Sequence, residues 1–323
     1  MTTAHFSPRA NAVLAFFSGR LLPVTLVAIC VIFALIEPAF LSPENLIGIV
    51  HQVSIIGIMA VGMTFVIMTG GIDLSVGPVM AFAGVCAAYT LEASGGNVGL
   101  AALAALTLAI SIGLFQGLCV AVLGLPSLVV TLAGMSIVRG TALLTGGPDL
   151  HLIRGPESFL FIGSGQISGV PFSVFVFAAM IAVAIFLQYR TVFGLTVLAV
   201  GDNERAAYLS GRRVRVVKAA TYVLCSFGAG VAGIVLASQV HTAASTYGAG
   251  IELDVIASVV IGGTSLMGGT GSVPRTVAGV FLIGIMNNGL ALMNVPIEMQ
   301  LIAKGLIIVL ALALADRPWQ FSR

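Results

Sequence analysis

"MTGGIDLSVGPVM", residues 68–80, decides how this chain folds. It sits between long apolar runs, yet it holds two adjacent glycines, a proline and an acid, Asp73. Gly70-Gly71 is read as the end of one helix, with Asp73 or Ser75 capping a second that starts near Val76. A broken helix frees backbone polar groups, which apolar surroundings tolerate only where protein or a water-filled cavity satisfies them. An acid at such a place is also a functional candidate by default. Two compatible roles for Asp73 stay open here: a structural cap, and a lining or gating residue of a pathway.

Outward from that stretch the chain is greasy throughout. Of its 323 residues, 59% are hydrophobic and only 8% are charged, against about 25% charged in a soluble domain. The expectation is an all-α, polytopic integral membrane protein of about ten transmembrane helices with glycine-broken segments. Apolar windows of the required length fall near 21–36, 46–68, 76–91, 98–123, 128–144, 171–188, 219–240, 254–267, 276–293 and 299–315. The period-2 alternation of a membrane barrel is absent, and many of the 39 glycines suit close helix packing. No signal-peptide cleavage pattern precedes Leu21, so the first span is expected to be retained.

Lys and Arg orient the chain. With a cytoplasmic N-terminus, Arg9, Arg20, Arg190, Arg205, Arg212, Arg213, Arg215, Lys218, Arg275, Arg317 and Arg323 all fall inside. Arg154 alone falls clearly outside, while Arg139 and Lys304 lie within spans. That asymmetry follows the positive-inside rule. It predicts cytoplasmic tails at 1–20 and 316–323 around a membrane domain at 21–315, with an inside loop at 190–218 and an outside loop at 146–169.

Several chemistries are unsupported by the residues. The scattered Cys30, Cys86, Cys119 and Cys225 form no CxxC pair, so neither a metal site nor a disulfide is expected. The two lysines, Lys218 and Lys304, do not follow glycine, so no P-loop is present. HExxH and Gly-x-Ser-x-Gly motifs are missing, and the net charge of +2 shows no nucleic-acid patch.

Within the inside loop, "GDNERAAYLSG" (201–211) reads as a short helix with both ends marked. Asp202 is placed to cap it, Glu204 lies in the first turn where the dipole favours an acid, and Gly211 supplies the stop. So short a helix needs a surface to lie on, either the bilayer interface, held by Arg212, Arg213 and Arg215, or a partner protein. A second break, "IGGTSLMGGTGSVP" (261–274), has the texture of the first. Paired interruptions can mark a transport pathway, and close helix packing accounts for these glycines equally well.

Polar residues inside spans could line a path: Gln52, Thr64, Gln116, Thr131, Ser136, Asn287 and Asn288, with Asn287-Asn288 the strongest pair because adjacent amides cannot both face one neighbour. The alternative for each is interhelical hydrogen bonding. Arg139 is expected in the outer third of the membrane, snorkelling or at an outer mouth, and Lys304 is expected to snorkel. The outside loop 146–169 is the natural docking surface for a partner, with Arg154 and Glu157 as ion-pair candidates.

Three blocks in order carry a resemblance: "MTFVIMTGGIDLSVG" (63–77), "GDNERAAYLSG" (201–211) and "ELDVIASVVIGGTSLMGGTGSV" (252–273). The chain resembles, from about Leu46 to Ala315, the permease subunits of bacterial ABC importers for ribose, xylose, galactosides and related monosaccharides. The resemblance implies an inner-membrane transport subunit that is not itself an enzyme and works by alternating access. It implies a second permease subunit, a cytoplasmic ATP-binding subunit holding ATP and Mg, and a periplasmic sugar-binding protein, beside the surrounding lipid. It also implies that 201–211 is the coupling helix seated in the ATPase, through Asp202, Asn203, Glu204, Arg205, Ala206, Ala207, Leu209 and Gly211. The pathway candidates are then Asp73, Ser75, Gln52, Thr64, Gln116, Asn287, Asn288 and Arg139. The contending reading is a gradient-coupled secondary transporter in which Asp73 titrates.

Overall fold

The computed structural model describes residues 21–315, with side chains from Leu22 to Leu306; the expected tails at 1–20 and 316–323 lie outside the described residues. Helix α1 (Leu21–Ile36) leads through a 3-10 turn to α2 (Pro43–Met68), α3 (Val76–Ala93), α4 (Val98–Ala121) and α5 (Ser127–Gly146). A short α6 (Glu157–Ser164) precedes α7 (Phe172–Arg190), α8 (Val192–Asp202), α9 (Glu204–Leu209) and α10 (Val214–Val240). Helices α11 (Ile251–Ile261), α12 (Val273–Leu292) and α13 (Ile297–Ala315) complete the chain. Four two-residue strands pair antiparallel: β1 (His151–Leu152) with β4 (Thr242–Ala243), and β2 (Gln166–Ile167) with β3 (Val170–Pro171).

Caps account for several starts. Ser42 Oγ accepts from the Asn45 amide (3.3 Å) ahead of α2, where Pro43 occupies the first turn, and Asn97 Oδ1 accepts from the Leu100 amide (3.0 Å) ahead of α4. Helix α2 is the centre of the molecule, buried on every side from Val53 to Met68. A helix apolar all round is stable only where other helices surround it. Glycine lets α10 lie against three helices at backbone distance. A methyl group on Gly62 would come 2.8 Å from Cys225 Cα, one on Gly117 would come 2.9 Å from Ala219 Cα, and one on Gly233 would come 2.2 Å from the Met80 carbonyl oxygen. This is the small-residue packing expected of membrane helices. By contrast α4, α5 and α7 present large apolar side chains outward, among them Leu103, Phe115, Ile137, Leu144 and Phe186.

Among the described residues, seven of these helices, α2, α3, α4, α5, α7, α10 and α12, are long and apolar enough to cross a membrane, and they fall on seven of the ten expected windows. The expected span at 254–267 is not one. Helix α11 stops at Ile261 after 11 residues, about 16 Å at 1.5 Å per residue, half of a hydrocarbon core. Hydropathy ran on through Gly262–Met267 because it weighs side chains and is blind to a backbone that turns. The segment 190–218 holds, beside the expected short helix, an 11-residue apolar helix, α8.

Candidate functional site

The first break spans Thr69–Ser75, between α2 and α3. Gly70 takes the left-handed conformation (φ +75°) that closes α2. Asp73 Oδ1 accepts from the Ser75 amide at 2.9 Å and lies 2.6 Å from Ser75 Oγ. Ser75 itself makes no side-chain cap to α3, so of the two cap candidates the carboxylate orders the turn. Ser75 Oγ also reaches Gln116 Oε1 (3.1 Å), while Thr131 Oγ1 donates to the Ile72 carbonyl (3.2 Å). Asp73, Ser75, Gln116 and Thr131 are all buried, so a single polar cluster ties α4 and α5 to the break. Gln116 Nε2 has no hydrogen-bond partner among the described residues.

The second break runs from Gly262 to Ser272, between α11 and α12. Buried Gln188, near the end of α7, clamps its far end: Nε2 donates to the Gly271 carbonyl and Oε1 accepts from the Val273 amide, both at 2.9 Å. Sequence reading missed Gln188, whose one signal was an amide in the last turn of an otherwise apolar span.

The remaining candidates disperse. Gln52 is exposed on α2, about 24 Å from the end of that helix. Thr64 Oγ1 donates to the Ala60 carbonyl (2.7 Å) and accepts from Thr276 Oγ1 (2.9 Å), joining α2 to α12. Ser136 Oγ donates back to Leu132 in its own helix. Asn287 and Asn288 face different neighbours: Asn288 exchanges hydrogen bonds with Asn45 (2.9 and 3.1 Å), and Asn287 Nδ2 donates to Asp254 Oδ2 (3.3 Å). Of the two readings open for Arg139 the structure removes one, and the expectation for Lys304 is overturned. Arg139 does not snorkel; its guanidinium donates to the Ser245 and Tyr247 carbonyls, holding the segment between β4 and α11. Lys304 does not snorkel either, because Nζ pairs with Asp254 Oδ2 at 2.9 Å. Asp254 lay inside a quoted block without being singled out, since its partners come from two distant helices.

Helix α9 is capped by Asn203, whose Oδ1 accepts from the Ala206 amide (2.9 Å), rather than by Asp202, the last residue of α8. Gly211, at φ +76°, ends the turn that follows. Ala207 is buried with Val200 and Val214, so it seats α9 on its own molecule and does not face outward. Glu204 is engaged by Lys218 (2.9 Å). What α9 presents is Glu204, Arg205, Ala206, Tyr208 and Leu209, the last two 68% and 76% exposed. Tyr208 was not among the expected contacts. On another surface, exposed Arg154 lines a recess of about 790 Å³ together with Glu92, His151 and Pro156, and exposed Glu157 follows at the start of α6.

A bundle of long apolar helices with two interior helix breaks, buried polar clusters beside them and one small capped helix standing proud of it is built as a membrane transport protein. The chain belongs to the family "Branched-chain amino acid transport system / permease component", whose model matches residues 45–312. It is 36% identical over 320 residues to the ribose import permease protein RbsC of Escherichia coli strain K12, covering 98% of this chain and 99% of that protein. It is 37% identical over 278 residues to the L-arabinose ABC transporter permease protein AraH of Azospirillum brasilense, covering 86% and 81%. The galactofuranose transporter permease protein YtfT of Escherichia coli K12 is 36% identical over 298 residues, covering 90% and 87%. No solved structure matches the chain.

Proposed function

We propose that this permease passes a monosaccharide across the bacterial inner membrane as the membrane subunit of an ATP-driven importer. One observation carries the reading: identity with a ribose permease extends along 98% of the chain, although the family as a whole is named for amino acid transport. A neutral sugar calls for hydrogen-bonding groups, and amides and hydroxyls such as Gln116, Thr64, Thr131 and Asn287 are among the buried polar side chains. ATP and Mg belong to a separate cytoplasmic subunit that α9 engages, with both termini on that side. A periplasmic sugar-binding protein would dock at the opposite end near Arg154 and Glu157, and a second permease subunit would complete the pathway. Alternating access then requires the broken segments to change their relation to the bundle.

Uptake of labelled ribose, arabinose and galactose into proteoliposomes tests this, with and without the ATPase and binding protein. Uptake that needs both partners and internal ATP, and survives collapse of the proton gradient, is expected. Uptake by this chain alone that disappears with the gradient would overturn the reading. Asp73 supplies a second discriminator. Asp73→Asn keeps an oxygen to accept from Ser75, so uptake near the parent level is expected, whereas Asp73→Ala removes an acceptor whose loss costs about 1–3 kcal/mol and lowers the unfolding midpoint in detergent. Abolished uptake in a fully folded Asp73→Asn protein would instead mark the carboxylate as a proton carrier.

A further inference from the structure

The two glycine breaks meet, and they meet at the root of α9. Three chain segments converge there: Met68–Gly70 at the end of α2, Gly201-Asp202 at the end of α8, and Gly268-Gly269 in the second break. The Gly269 amide donates to the Met68 carbonyl at 3.0 Å. A methyl group on Gly201 would lie 1.9 Å from that same carbonyl oxygen and 2.3 Å from the Gly269 nitrogen. One on Gly268 would lie 2.8 Å from the Gly70 nitrogen and 3.0 Å from Gly201 Cα, and one on Gly269 3.0 Å from Asp202 Cα. Backbone touches backbone at each of these contacts.

Gly70, Gly268 and Gly269 have positive φ and would be glycine for conformation alone. Gly201 is different. It lies within helix α8 without a positive φ, where glycine costs about 1 kcal/mol relative to alanine. Close approach is what accounts for it. The connection onward to α9 is short and stiff: the Asn203 amide donates to the Ala199 carbonyl (3.0 Å), its side chain caps α9, and Ala207 is wedged against Val200 and Val214.

We propose that this three-way glycine junction transmits motion of α9 into both broken segments, making Gly201, Gly268 and Gly269 positioning residues for gating; the inference rests on the reading of α9 as the ATPase-coupling helix. A contact made through long side chains absorbs displacement by changing rotamers. Backbone contact sealed by a hydrogen bond does not, so a shift at Asp202 must move the end of α2 and the second break together. The second break can pivot because its other end is held by Gln188. The first break passes the motion to Asp73, Ser75 and α3.

The test uses the whole transporter in proteoliposomes, with the panel sugar taken up fastest. In Gly201→Ala, the number of sugar molecules imported per ATP hydrolysed is expected to fall about tenfold, within the usual range for coupling between sites. A glycine needed only for packing would reduce the amount of folded complex and leave that ratio unchanged, which would overturn the proposal. A second variant covers the case in which Gly201→Ala does not fold. Gln188→Leu releases the clamped end of the second break and leaves the junction glycines in place. Sugar imported per ATP is expected to fall about fivefold, the lower end of coupling between sites, with the complex still folded; a ratio equal to the parent's overturns the proposal. Uncoupling by substitutions at Tyr208 and Leu209 but not at Gly201 would remove the junction and leave the coupling reading standing. Normal coupling in those α9 variants would remove the reading itself.

Discussion

Lys304→Met is expected to cost the folded permease about 3–5 kcal/mol, the usual penalty for stranding one member of a buried ion pair. The pair is well formed: Nζ lies 2.9 Å from Asp254 Oδ2, with the lysine side chain 19% and the aspartate 10% exposed. Asn287 Nδ2 donates to the same oxygen, while Asn287 Oδ1 has no partner among the described residues. The amide therefore cannot replace the ammonium; it supplies one hydrogen bond and no charge. Three helices depend on this carboxylate, since Asp254 sits in the first turn of α11, Asn287 on α12 and Lys304 on α13. The double variant Lys304→Met with Asp254→Asn removes both charges and should recover most of the loss, because a neutral amide is far cheaper to bury than a lone carboxylate. Thermal unfolding in detergent of parent, single and double variants forms the cycle. Additive losses would show that the two side chains do not depend on one another.

That pair also shows what one-dimensional reading can and cannot deliver. The break at Gly70-Gly71 was visible because two glycines followed by Asp-Leu-Ser form a local instruction: helix end, turn, new helix. So was a small helix between residues 201 and 211, down to its closing glycine. Its cap was misassigned by one residue because Asp202, Asn203 and Glu204 all favour a helix start, and only the extent of α8 decides among them. The false span at 254–267 came from the same source as the true ones, an apolar run, and its correction depends on a chain reversal that composition does not encode. A lone cation in a span snorkels by default, the reading given to Lys304 and one of the two given to Arg139. Their partners, Asp254 and the carbonyls of Ser245 and Tyr247, are 50 to 108 residues distant. The glycine junction was the least legible feature. Each glycine pair could be seen, but their meeting with Gly201 joins residues from opposite ends of the chain through backbone atoms, which leave no mark on residue type.

Substituting Tyr208 and Leu209 together by Ala is expected to weaken engagement of the ATPase by about 30-fold or more, as for removal of an interface hot spot worth 2 kcal/mol or more. Sugar-stimulated ATP hydrolysis should fall with it. The choice follows from which face of α9 is free. Ala207 is committed to Val200 and Val214, and Glu204 to Lys218, whereas Tyr208 and Leu209 stand in the open beside Arg205, which forms no ion pair among the described residues. An aromatic and an aliphatic side chain so exposed on a helix of 6 residues suit the centre of a protein contact, with the arginine at its rim. Glu204→Ala serves as the internal comparison. Its ion pair is more than half exposed on the carboxylate side, and such pairs contribute about 1 kcal/mol at most, so the variant is expected to fold normally and any loss of engagement reads the contact of Glu204 with the partner. Titration of the purified ATPase against permease in nanodiscs, followed by hydrolysis with and without sugar-loaded binding protein, reads both quantities. A large defect in Glu204→Ala beside a normal Tyr208/Leu209 variant would move the contact to the first turn of α9, where Glu204 and Arg205 are exposed, and would leave Tyr208 and Leu209 outside it.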